Sequence, residues 1–143
     1  MKSCITEIKG DLFQTLESSS LAHCVSRDLE MGKGIAVIFK EKFGNVDALK
    51  LQNKKVGECA FLDVNGKYVY YLITKEKYWN KPTYTNLKSS LLDMKQLAVQ
   101  HKITKLSMPK IGAGLDKLDW DKVKQIITDV FTDTSIDITI YCL

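Results

Sequence analysis

The feature that most constrains this chain is a Gly-x-Gly turn that follows a buried strand and precedes a helix. It lies in residues 106–116, where an apolar run ends near Pro109 and the turn Gly112-Ala113-Gly114 leads toward a helix signal at Asp119. Glycine lets the backbone pass close to an anion, and backbone N–H groups at such a turn can point at phosphate oxygens. Alone, a turn of this kind is more often an ordinary loop.

A second turn of the same kind changes that interpretation. The segment Gly32-Lys33-Gly34 also precedes a helix pattern, whose apolar residues recur at helical spacing at Ile35, Ile38, Phe39 and Phe43. Two such units in one small chain predict two loops that face each other and clamp a diphosphate with their backbone amides. Neither loop is the dinucleotide-binding Gly-x-Gly-x-x-Gly sequence or a Walker loop, because the third glycine and the Gly-Lys-Ser/Thr ending are absent.

The other patterns alternate strands with helices. Strands are predicted at residues 4–8, 21–25, 57–64, 68–74 and 136–141, with a hairpin turn at Asn65-Gly66 and with helices after Thr83 and Asp119. This order predicts an α/β sandwich with a mixed sheet. Its ligand-binding loops should gather at the carboxyl ends of the parallel strands.

Composition limits the class of protein. A chain of 143 residues with 45% hydrophobic residues is predicted to form one domain with a single core. The four cysteines form no Cys-x-x-Cys pair and there are two histidines, so we expect free thiols in an intracellular protein and no zinc site. One arginine among 21 basic residues disfavours sequence-specific nucleic-acid binding. The sequence has no signal-peptide pattern and no long apolar run, so no membrane partner is predicted.

Four side chains are candidates for chemistry, and each has a structural alternative. Asp11 is either a turn or cap carboxylate or an acceptor for the exocyclic amine of a ligand. His23 lies in an apolar run and is interpreted as a satisfied core histidine. Lys81, beside Tyr78 and Trp79, is either solvated or a nucleophile that acts as a neutral amine. Asp116 would repel a bound phosphate, so we interpret it as a group that acts on something attached to the phosphates.

With both glycine turns and the segment Lys81-Pro82-Thr83-Tyr84 in place, the chain resembles a macrodomain, the ADP-ribose-binding fold. Within that fold it is similar to the terminal ADP-ribose protein glycohydrolase branch, also described as O-acyl-ADP-ribose deacylase. The resemblance runs from about Ile5 to Leu143, and its most specific parts are residues 9–13, 22–26, 31–36, 70–75, 81–84 and 106–116. It implies a three-layer α/β/α sandwich with a mixed, mostly parallel central sheet.

The resemblance also implies residue roles. Asp11 and the backbone at Leu12 would hold adenine, while Ser26 would lie near the distal ribose and Leu143 near the adenosine. Lys81 would attack the anomeric carbon of the distal ribose and displace a glutamate or aspartate carboxylate. Asp116 would act as acid and base, with no metal or cofactor. The amides of the two glycine loops would hold the diphosphate, and the loop residues are Gly32, Gly34, Ile35, Gly112, Ala113, Gly114 and Leu115. Lys110 and Ile111 are further candidates for ligand binding.

The implied activity is a hydrolase that removes mono-ADP-ribose from acidic side chains and deacylates O-acyl-ADP-ribose. Its partners would be ADP-ribose, O-acyl-ADP-ribose, mono-ADP-ribosylated proteins and poly-ADP-ribose termini. The resemblance further implies a monomer of the nucleus or cytoplasm with a part in the DNA damage response.

Two other functions compete with the hydrolase. One is a binding module that recognises ADP-ribose without turnover, which Lys81 and Asp116 disfavour because such a module needs neither. The other is a lysine-rich RNA or poly-ADP-ribose binder, which the single arginine disfavours. Most macrodomains carry an Asn-rich run where this chain has His23-Cys24-Val25-Ser26, and this departure agrees with a lysine-based mechanism. Lys33 stands where a small residue is expected.

Overall fold

A six-stranded, mostly parallel sheet forms the centre of the protein, as seen in a computed structural model that describes residues 4–14 and 18–142. The strands are β1 (Ile5–Lys9), β2 (Ser20–Ser26), β3 (Cys59–Val64), β4 (Lys67–Lys75), β5 (Lys105–Pro109) and β6 (Asp137–Cys142). Their order in the sheet is β1-β6-β5-β2-β4-β3. All neighbouring strands run parallel except β3 and β4, which pair antiparallel.

Helices cover both faces of this sheet. Phe39 and Leu49, from the first two helices, pack with one set of buried residues, whereas Leu91 and Ile127, from the other two, pack in a separate core on the opposite face. The predicted three-layer α/β/α sandwich is therefore confirmed. The helices are α1 (Ile35–Phe43), α2 (Val46–Leu51), α3 (Tyr84–Gln100) and α4 (Trp120–Phe131), and a short 3-10 helix spans Leu12–Gln14.

Local chemistry sets the helix ends where the sequence predicted them. The Thr83 hydroxyl accepts a hydrogen bond from the Asn86 N–H at 3.1 Å and caps α3. Oδ1 of Asp119 accepts from the Asp121 N–H at 3.0 Å and caps α4. Gly44 ends α1 with a φ of 55°.

The predicted hairpin joins β3 to β4. Asn65 and Gly66 have φ values of 55° and 85°, which suit the tight turn between antiparallel strands. Helix α2 was not predicted from the sequence. It has six residues and follows Asn45 in the left-handed region, so its pattern is too short to register as a helical period.

The parallel arrangement decides where the loops lie. Strands β1, β2, β4, β5 and β6 run in the same direction, so their carboxyl ends meet at one edge of the sheet. Residues far apart in the chain, such as Ser26, Lys75 and Pro109, therefore end neighbouring strands at this edge. All four cysteines are free, and no helix of the described residues is long and apolar enough to cross a membrane.

Candidate functional site

A cavity of about 1050 Å³ opens at the carboxyl edge of the sheet. It is large enough for a nucleotide-sized ligand, because ligand pockets usually measure about 300–1,000 Å³. Five lysines and two aspartates line it, which gives the cavity a positive balance suited to a diphosphate. Its walls are the loops that follow β1, β2, β4 and β5 together with the end of β6.

The two glycine turns lie against each other across this cavity, as the sequence predicted. Gly34 has a φ of 61°, and a Cβ atom placed on it would lie 3.2 Å from Cδ1 of Leu115 in the opposite turn. Gly112 has a φ of 73°, and its Cβ would lie 3.0 Å from Cδ1 of Leu118. Both positions therefore favour glycine through their backbone conformation, and a larger residue would also have to displace the end of a leucine side chain.

The first glycine turn leads directly into α1. Gly34 precedes the helix and offers no side chain to cap its first N–H groups. Backbone N–H groups at such a helix start are well suited to bind an anion. The arrangement fits a diphosphate held between the α1 N-terminus and the turn at residues 112–115.

Lys75 and Asp116 form an ion pair in the cavity wall. Lys75 Nζ donates a hydrogen bond to Asp116 Oδ1 at 2.6 Å, and their side chains are only 13% and 18% exposed. Lys75 is the last residue of β4, while Asp116 lies in the loop after β5. A primary amine and a carboxylate in direct contact at the wall of a ligand cavity can exchange a proton and attack an electrophilic carbon.

Lys81, the nucleophile predicted from the sequence, occupies a different position. Its side chain also lines the cavity, but the residue is exposed and the described residues provide no salt-bridge partner for it. Asp116 contacts Lys75 instead. The geometry therefore favours Lys75 over Lys81 as the amine that works with Asp116. The signal in the sequence is the position of Lys75 at the end of a strand whose carboxyl end borders the cavity.

The other residues predicted to bind ligand also line the cavity, apart from Leu143, which lies outside the described residues. Oδ1 of Asp11 accepts a hydrogen bond from the Phe13 N–H at 2.9 Å, so Asp11 does serve as a turn carboxylate while it borders the cavity. The Ser26 hydroxyl donates to Asp28, and Lys33 is exposed at the cavity edge. The remaining members are Leu12, Gly32, Gly34, Ile35, Lys110, Ile111, Gly112, Ala113, Gly114 and Leu115.

Cys24 and His23 reach the cavity from β2 but are poorly suited to catalysis. Burial raises the pKa of the Cys24 thiol, and the nearby Asp116 carboxylate raises it further, so the thiol stays neutral and weakly nucleophilic. Burial lowers the pKa of His23 to about 3.

His23 belongs to the core, but it is not the satisfied core histidine that the sequence suggested. Its ring stacks on Phe39 at 3.7 Å, and neither ring nitrogen finds a hydrogen-bond partner among the described residues. Within the same residues, no group of three or more His, Cys, Asp or Glu side chains is placed to hold a metal ion.

Comparison with known proteins identifies the family of this chain. Residues 22–127 match the model of the Macro domain. The chain is 53% identical to the ADP-ribose glycohydrolase OARD1 of Homo sapiens over 141 residues, which cover 99% of this chain and 93% of the relative. It is also 27% identical to a DNA ADP-ribosyl glycohydrolase of Mycobacterium tuberculosis, over 96% of this chain and 42% of that protein. The chain belongs to the macrodomain family.

Solved structures share the fold. The macrodomain of Mycobacterium tuberculosis DarG superimposes with a TM-score of 0.88 at 24% identity, covering 99% of both chains. Thermosipho africanus DarTG, solved in complex with ADP-ribose, gives a TM-score of 0.84 at 22% identity over 96% of this chain and 41% of the other. At these identities the likeness establishes the fold.

Proposed function

We propose that this protein is a hydrolase that releases ADP-ribose from glutamate or aspartate side chains, and from O-acyl-ADP-ribose, with Lys75 as nucleophile and Asp116 as acid and base. The observation that carries the proposal is the 2.6 Å contact between Lys75 Nζ and Asp116 Oδ1 in the wall of the ligand cavity. A domain that only binds ADP-ribose needs no such pair. The relative from Homo sapiens, 53% identical, is named an ADP-ribose glycohydrolase, which supports turnover.

The shape and charge of the cavity support this choice of substrate. Two glycine turns and the start of α1 offer backbone N–H groups to a diphosphate. Asp11 and Leu12 border the cavity after β1, where an adenine ring would meet them. With the diphosphate between the turns, the distal ribose lies toward Lys75 and Asp116.

The ion pair determines which step of the reaction comes first. An ammonium group has no free electron pair, so Lys75 must give a proton to Asp116 before it attacks. The amine then bonds to the anomeric carbon of the distal ribose, the bond to the acyl oxygen breaks, and its electron pair leaves with the carboxylate. Asp116 releases the proton to solvent and is a carboxylate again when water attacks the lysine adduct. As general base it takes a proton from that water, the carbon–nitrogen bond breaks to free ADP-ribose, and the proton returns to Lys75. General acid–base assistance of this kind is typically worth about 10²–10⁴-fold.

A single-turnover assay on glutamate-linked mono-ADP-ribosylated protein tests the proposal. The wild type, Lys75→Ala and Lys81→Ala are compared, and ADP-ribose affinity is measured for each by calorimetry. We expect Lys75→Ala to bind ADP-ribose without releasing it from protein, and Lys81→Ala to keep measurable release. If Lys81→Ala abolishes release and Lys75→Ala does not, Lys81 is the nucleophile. A wild type that binds but never releases ADP-ribose would identify a reader domain instead.

A further inference from the structure

A second, smaller cavity lies next to the ion pair, on the side of the chain segment that follows β4. It measures about 530 Å³, and Lys75, Asn80 and Lys81 line it as well as the large cavity. These three residues therefore lie between the two cavities. The small cavity adjoins Lys75, the residue that attacks the sugar in the proposed function.

We propose that this small cavity is the acceptor site, where Lys81 binds the departing carboxylate of the modified acidic side chain. The inference rests on the proposed function and assigns the substrate side chain to a specific place. In the step that breaks the ester, the electron pair of the carbon–oxygen bond stays on the carboxylate oxygen. A full negative charge therefore develops there, and an ammonium group beside it stabilises that charge.

The charges around the small cavity favour a carboxylate. Its ionisable residues are Lys75, Lys81 and Glu76. Lys75 is paired with Asp116, and Glu76 pairs with Arg27 at 3.3 Å. The described residues give Lys81 no ion-pair partner, so its ammonium group remains available to an incoming anion.

Neutral polar groups complete the site. The Asn80 side-chain oxygen accepts the Lys77 N–H at 2.9 Å, which leaves the Asn80 amide NH₂ as a donor. The Asn80 N–H also donates to the Lys77 carbonyl at 3.0 Å. This hydrogen bond closes the turn of residues 77–80, which directly precedes Lys81. Thr74 lines the cavity and is buried. Its hydroxyl is buried beside the Cys24 thiol, so Asn80 supplies the neutral donor of the site.

The chain offers a matched control for the test. Lys77 is exposed and lies in the turn that directly precedes Lys81, but it lines neither cavity. Single-turnover release from a glutamate-linked ADP-ribosylated peptide is measured for the wild type, Lys81→Met, Lys81→Arg and Lys77→Met, at low and high salt. Calorimetry gives the affinity of each variant for free ADP-ribose.

We expect Lys81→Met to slow release roughly tenfold, less than the 10²–10³-fold of a buried oxyanion donor, because Lys81 is solvent-exposed. Lys81→Arg should restore most of the rate, and Lys77→Met should match the wild type. High salt should narrow the difference between wild type and Lys81→Met, since salt screens exposed charges. Affinity for free ADP-ribose should change much less than the release rate in Lys81→Met, because the product carries no acceptor.

Three outcomes would overturn the inference. Wild-type rates in Lys81→Met would do so and leave the Lys75 mechanism intact. Complete loss of release in both Lys81→Met and Lys81→Arg, together with a covalent adduct mapped to Lys81 in the wild type, would make Lys81 the nucleophile. A wild type without release would remove the proposed function and the acceptor site together.

Discussion

Lys75 Nζ and Asp116 Oδ1 lie 2.6 Å apart and join the end of β4 to the loop after β5. The two residues are 41 positions apart in the chain, and β2 separates their strands in the sheet. They meet because β4, β2 and β5 run parallel and end at the same edge. The contact places an amine and its proton acceptor together at the site of the predicted ligand.

Replacing Asp116 with alanine should trap the reaction after its first half. Lys75 would still form an adduct slowly, once its ammonium group loses a proton to water, but the group that resolves the adduct would be missing. Intact-mass spectrometry after incubation with O-acyl-ADP-ribose should show added mass, and peptide mapping should place it on Lys75. The double variant Lys75→Ala/Asp116→Ala should gain no mass. An adduct mapped to Lys81 would contradict the assignment.

The two glycines of the second turn should respond differently to substitution. Gly112→Ala should destabilise the protein by about 1–2 kcal/mol, because L-residues pay roughly this for a left-handed conformation and the new Cβ would lie 3.0 Å from Leu118. Gly114 has no atom within 4 Å of such a Cβ, so Gly114→Ala should keep wild-type stability. Urea unfolding compares the two variants.

Gly114 also offers a test of the diphosphate cradle that leaves the fold intact. Gly114→Glu places a carboxylate at an exposed position in the cavity wall, where it would repel the phosphates. We expect wild-type unfolding and a loss of ADP-ribose affinity of at least tenfold, an energy of about 1.4 kcal/mol. Gly114→Gln is the neutral control and should bind more tightly than Gly114→Glu. Equal binding by the two variants would place the phosphates elsewhere.

The sequence predicted the sheet, three of the helices and both glycine turns, because these depend on periodicity and on turn chemistry that local residues carry. It did not predict the partner of Asp116. Lys75 lies between a clear strand pattern and a polar segment. A lysine that is simply solvated is equally expected at such a position. Only the parallel order of β5, β2 and β4 brings Lys75 to Asp116, and strand order is a long-range property. Lys81 lies in the more specific sequence motif, but the hydrogen bond and ion pair of Asp116 are with Lys75.

Asp28 should position the segment that carries Lys81. Its Oδ2 accepts the Tyr78 N–H at 3.2 Å, while its Oδ1 accepts the Ser26 hydroxyl and the Glu30 N–H. Asp28→Ala should remove these hydrogen bonds, make the segment more mobile and slow the release of ADP-ribose on the order of tenfold. This is within the ~100-fold loss of rate that a ~1 Å displacement of a reacting group can cause. Single-turnover release and hydrogen exchange at the Tyr78 amide measure the effect.

A carboxylate in α2 provides the control for Asp28. Asp47 is exposed on that helix and lines neither cavity, so Asp47→Ala should change neither release nor exchange at Tyr78. Faster exchange at Tyr78 with an unchanged release rate would separate the mobility of the segment from catalysis and would contradict the positioning role of Asp28.

His23 should make the protein sensitive to acid. Burial lowers its pKa from the ordinary value of 6.5 to about 3, so the folded protein keeps the ring neutral while the unfolded chain binds a proton below pH 6.5. Unfolding therefore takes up a proton between pH 6.5 and 3, and stability falls as pH falls through that window. The slope from this group is at most about 1.4 kcal/mol per pH unit.

The acid sensitivity is measured as the difference between two unfolding curves. His23→Phe removes the titrating group and keeps a ring to stack on Phe39, so its free energy of urea unfolding should fall less than that of the wild type between pH 7 and pH 4. His101 is the chain's other histidine; its pKa is also lowered by burial, but it is partly solvent-exposed. His101→Gln should therefore flatten the curve by a smaller amount. Parallel curves for the wild type and His23→Phe would mean that water reaches the ring and that the folded protein accommodates the imidazolium.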